Sequence, residues 1–116
     1  MLKVVKQQTT TVTQTVSLDA MSGAVMLQLS DGEGHVFRQA MDAHDVGKLL
    51  KLFFVRSEED VSLCQGDLVA RIEEGLHFIW HDENGSGRVH LDIPGEMVFE
   101  EALKSYCRML MWSPEE

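Results

Sequence analysis

The stretch LHFIWHDENGSGRVHLDIPGEMVFEEALKSYC, residues 76–107, contains both periodicities from which a small α+β fold is built. Leu76, Phe78 and Trp80 alternate with His77, Ile79 and His81, and Val89, Leu91 and Ile93 alternate with Arg88, His90 and Asp92. A period of two puts each set on one side of a strand. Between the runs, Glu83, Asn84, Gly85, Ser86 and Gly87 supply turn chemistry, so the pair reads as an antiparallel hairpin. After Pro94 and Gly95 the period changes. Phe99, Ala102, Leu103, Tyr106 and Cys107 recur at helical spacing, which predicts a helix over residues 96–111 that Ser113 and Pro114 stop.

The pattern repeats outward from this segment. Residues 61–64 and 68–73 read as two further short strands, separated by Gln65-Gly66 and closed by Glu74-Gly75. In the first half, residues 3–7, 10–18, 24–30 and 35–41 read as strands rich in Val and Thr. Asp42 is an N-cap for a helix whose stripe is Val46, Leu49, Leu50, Phe53 and Phe54, and residues 57–60 form an acidic loop. A shift of 53 positions carries that stripe onto Phe99, Ala102, Leu103, Tyr106 and Cys107, and Val36 onto Val89. The expected fold is therefore α+β, two ββββα units whose antiparallel sheets are each packed by one amphipathic helix. It forms one domain over residues 1–116, with an internal repeat of 1–56 and 57–112. One helix leaves the other side of each sheet uncovered, and Met109, Met111 and Trp112 exceed what the last helix stripe needs. A homodimer with Trp112 in its contact is expected.

Ten Lys plus Arg stand against 19 Asp plus Glu, a formal charge of −9 that repels duplex DNA from the average surface. No apolar run approaches the roughly 20 residues a membrane span needs, and the N-terminus turns polar too soon for a signal peptide, so a cytoplasmic protein with no membrane partner is expected. Cys64 and Cys107 lack a CxxC partner and lie in apolar stretches, which makes them small hydrophobes and no disulfide.

Pairing the two apolar sets of the last hairpin gathers His77, His81, Arg88, His90 and Asp92 on its outer side, with Arg71 and Glu73 extending the patch. Such a surface contacts phosphate or carboxylate, or is an ordinary solvated sheet face. His77 and His81 are about 13 Å apart along a strand, too far to share an ion, so a metal would need a cross-strand pair such as His81 with His90; none is expected. Residues 82–87 have the Asp, Asn and Gly of a calcium loop, but Ile93 stands where the closing Glu belongs. Ser86 lies in a turn and not on a nucleophile elbow, the phosphate-binding glycine loops are absent, and no carboxylate pair reads as buried. The chain is read as non-enzymatic, without a cofactor. Phe37 is open: a four-residue turn at 31–34 puts it on the outer face with Met26, Gln28 and Met41 as a stacking platform, and a one-residue bulge turns it into the core.

The run Arg88-Val89-His90-Leu91-Asp92-Ile93-Pro94, followed by Phe99, Ala102 and Leu103, resembles the end of a repeat in the Pur-alpha family. The doubled ββββα order is similar to that family and to the Whirly proteins, which bind single-stranded DNA or RNA on their sheets. The resemblance implies a binding module contacting single strands on a sheet face, and the patch read above supplies Arg71, His77, His81, Arg88, His90 and Phe37 for that contact. This chain departs from the pattern in being acidic and poor in Lys and Arg. The alternative expectation is an acidic protein-interaction domain, of inhibitor or immunity type, that holds a basic protein through loop carboxylates.

Overall fold

The computed structural model describes residues 2–9, 12–83 and 85–109, with β1 and Val12 described by their backbone only. Four strands, β1 (Leu2–Thr9), β2 (Val12–Met21), β3 (Ala24–Ser30) and β4 (Val36–Met41), form one antiparallel meander, sheet A, in sequence order. Helix α1 (Ala43–Val55) follows. Sheet B repeats the plan with β5 (Val61–Leu63), β6 (Leu68–Ile72), β7 (Leu76–Asp82) and β8 (Gly85–Leu91), before helix α2 (Ile93–Met109). The two ββββα units expected from the periodicities are present, and both helices pack on sheets.

Each helix lies across the sheet of the other unit. Helix α1 runs over β5 and β6, where the Lys48 ammonium donates to the Ser62 carbonyl at 3.1 Å, and α2 runs over β1 and β2, where the buried Tyr106 hydroxyl donates to the Leu18 carbonyl at 3.0 Å. One continuous core results. Val16, Leu18, Leu27 and Leu29 of sheet A, Leu68, Phe78, Trp80 and Leu91 of sheet B, and Leu49, Phe53, Phe99 and Leu103 of the helices are all buried in it. Phe99 stands edge-on to both Phe53 of α1 (6.1 Å) and Phe78 of β7 (5.5 Å), so the helices and sheet B meet at one ring. No described helix is long and apolar enough to cross a membrane.

Several local expectations are corrected. Phe37 is 1 % exposed: Ser30 pairs with Val36 and Leu29 with Phe37, so the ring points inward and lies 6.1 Å from Trp80. It offers no stacking platform. The last hairpin is tighter than expected, since Asp82 pairs with Gly85, and β8 ends at Leu91. Gly87 is a strand residue. A Cβ there would stand 2.2 Å from Trp80 Cζ2, so glycine is what lets the indole lie across β8. Asp92 leaves the sheet face and caps α2, its Oδ1 accepting from Gly95 N–H at 2.9 Å, while Ile93 is an exposed helical residue. In α1 the buried stripe is Val46, Leu49, Leu50, Leu52 and Phe53, and Phe54 is 89 % exposed. Met111 and Trp112 lie outside the described residues.

Candidate functional site

Sheet B turns its apolar alternation toward the core and leaves the other set outward. Register fixes the outward rows. Arg71, His77 and His90 line up across β6, β7 and β8; Ser62, Val69, Ile79 and Arg88 form the next row from β5 to β8; His81 faces Ser86 beyond it. The structure thus brings together five of the six expected site residues, all except Phe37. No outward strand position on this sheet carries a carboxylate, in a chain with 19 of them.

The centre of the face is an imidazole pair. His77 and His90 are stacked with ring centroids 4.0 Å apart and planes within 5°. His77 Nε2 lies 2.8 Å from the Glu73 carbonyl oxygen, and His90 Nε2 lies 2.9 Å from that of Glu74. A carbonyl only accepts, so each Nε2 carries the proton and each Nδ1 carries the lone pair of the neutral ring. The pair braces the β6–β7 turn, whose Glu74 and Gly75 have φ of 50° and 117°. Burial holds the His77 pKa below its ordinary 6.5; the Glu73 carbonyl opposes that shift, and the neighbouring His90 and Arg88 reinforce it.

The remaining groups differ in freedom. Arg71 is held by Asp60 in a two-point pair, Nε to Oδ1 at 2.7 Å and a terminal nitrogen to Oδ2 at 2.9 Å, and that bond lowers the Asp60 pKa. His81 Nδ1 and Ser86 Oγ are 2.5 Å apart. Arg88 is exposed, and among the described residues no carboxylate pairs with it.

Two participants escape a reading by type and spacing. Gln14 lies on the same side of β2 as Val16 and Leu18, yet its Oε1 accepts from His90 N–H at 3.0 Å and its Nε2 donates to the Arg88 carbonyl at 3.5 Å. One side chain thereby occupies the open edge of β8 behind the two outward residues. A signal for it exists, a lone amide interrupting the apolar face of a Val-rich strand. Asp60 belongs to an acidic loop, and nothing local distinguishes it from Glu58 and Glu59.

Other reactive groups are quiet. Burial pushes the Cys64 thiol up to about 12 and raises Cys107 as well, so both free cysteines stay protonated. Among the described residues no three His, Cys, Asp or Glu side chains converge as a metal site. No family model matches the chain, and no curated protein or solved structure matches it either.

Proposed function

We propose that the protein is a non-enzymatic binding module whose sheet B face contacts the backbone of single-stranded nucleic acid. The observation that carries this reading is compositional and spatial at once. In a chain of charge −9, the outward positions of one sheet hold two Arg, three of the five His and no carboxylate. Arg88 is the exposed cation for a phosphate, and half-buried Val69 and Ile79 give a sugar or base an apolar floor. A duplex would need a wider positive field than this acidic chain offers.

His77 sets the pH dependence. In its neutral ring Nδ1 is an acceptor and offers nothing to a phosphate oxygen; protonation turns it into a charged donor. Because the His77 pKa is lowered, this gain arrives below 6.5. Fluorescence anisotropy with a labelled single-stranded oligonucleotide should show affinity rising from about pH 7.5 to about pH 5.5. Three phosphate contacts at about −0.7 each give a shallow salt slope near −2. Arg88→Glu should weaken binding about tenfold or more. Absence of binding at about 50 μM protein, about 20 mM salt and about pH 6 sinks the proposal.

Exposed Glu58 and Glu59 beside Asp60 favour a second reading, an acidic domain that holds a basic protein. In that case oligonucleotides fail to bind, and a basic polypeptide binds in a manner that Arg88→Glu leaves unchanged.

A further inference from the structure

The helical side of the molecule carries an apolar surface that the sheet face does not explain. At the end of α1, Phe54 is 89 % exposed and Val55 55 %, and Lys51 shares their side of the helix at i, i+3, i+4 spacing. On α2, Met97 and Val98 are 60 % and 55 % exposed and line a shallow groove of about 370 Å³ with Glu101, Ala102 and Ser105. The groove exists because Ala102 and Ser105 are small where the helix rows would otherwise be filled. The Arg56–Glu96 ion pair joins the C-terminal end of α1 to the first turn of α2: Arg56 follows Val55, and Glu96 precedes Met97. Knob and groove thus stand on two helices that are tied together at these ends.

We propose that this surface is a twofold interface between two copies of the chain, in which Phe54 of each copy fills the α2 groove of the other. Three observations choose a second copy as the occupant. A projecting ring and a groove carried by two packed helices of one molecule make a self-complementary pair, which a twofold axis requires. The knob is flanked by a base, Lys51, and the groove by an acid, Glu101, so the exchange places opposite charges together twice and offsets the repulsion between two chains of −9. Helix α1 packs on the inner side of sheet B, so the interface leaves the outward rows of that sheet open on both copies.

Sedimentation velocity on the full chain at micromolar concentration tests this. The expected species has twice the 13.1 kDa chain mass. Phe54→Ser should weaken association about tenfold or more without lowering the melting temperature of the monomer, because the ring makes little contact within its own chain. Lys51→Glu and Glu101→Lys should each weaken it by roughly threefold to tenfold, and the two together should restore it. A wild-type chain that stays monomeric at about 100 μM overturns the proposal. So does a dimer indifferent to Phe54→Ser, including one lost only when residues 110–116 are removed, which would place the contact in the C-terminal segment.

Discussion

Glu96 shows how a partner offsets the cost of burying a carboxylate. It is 2 % exposed, yet Arg56 donates to both of its oxygens, at 2.6 and 3.3 Å, and this hydrogen bonding to Glu96 is the main reason the guanidinium pKa is raised. Arg56 is positioned by its backbone. It closes α1 in the left-handed region (φ 54°), its N–H donating to the Leu52 carbonyl at 2.8 Å. Arg56→Ala would strand a buried carboxylate and should cost about 2–4 kcal/mol, the half-exposed Arg keeping it toward the lower part of the usual range. Adding Glu96→Gln should recover part of that loss in urea melts; no recovery would mean that the pair contributes through packing alone. Asp31 is a second residue whose role depends on its surroundings. Burial pushes its carboxyl up, but bonds from the Glu33 N–H and from His35 outweigh burial and hold it below its ordinary range.

At the scale of elements, the β7–β8 hairpin and the two helices carry the argument. Trp80 lies across Gly87 and against Phe37, so one indole joins the two sheets and depends on a position without a side chain. Gly87→Ala should displace that ring and cost about 1–3 kcal/mol, read as a lower urea midpoint at unchanged slope. An unchanged midpoint would show that the indole has room to move. The helices were legible by period, yet each stripe differs in detail. Val46, Leu49, Leu50 and Phe53 match Phe99, Ala102, Leu103 and Tyr106 in burial, whereas the fifth pair does not: Phe54 is exposed and Cys107 buried. The strand pair Val36 and Val89 fails in the same way, 47 % against 1 % exposed, because the frame that aligns the helices is one residue out in the strands.

For the whole molecule, the exchanged helices make the two units interdependent. Each helix packs chiefly on the sheet of the other unit, so neither half buries its own apolar face alone. Unfolding should therefore be a single transition, and Leu103→Ala, in the shared core, should cost about 2–5 kcal/mol and shift fluorescence and circular-dichroism melts together. Separate transitions by the two probes would show the halves to be independent.

The sequence by itself determined the number and order of the strands and α-helices, since periods of two and 3.6 report which side of an element is buried; the short 3-10 turn at Cys64–Gly66 was not among them. It also placed Arg71, His77, His81, Arg88 and His90 on one sheet face, because alternation along strands and pairing across a hairpin are local. Only the tertiary structure decided where Phe37 points, since a one-residue difference in the β3–β4 turn flips every side chain of β4. It alone paired Arg71 with Asp60, Arg56 with Glu96 and Gln14 with the edge of β8, contacts spanning 11, 40 and 76 positions that no periodicity encodes. Local pattern fixes the face on which a side chain stands; what that side chain meets is fixed by how the two units cross.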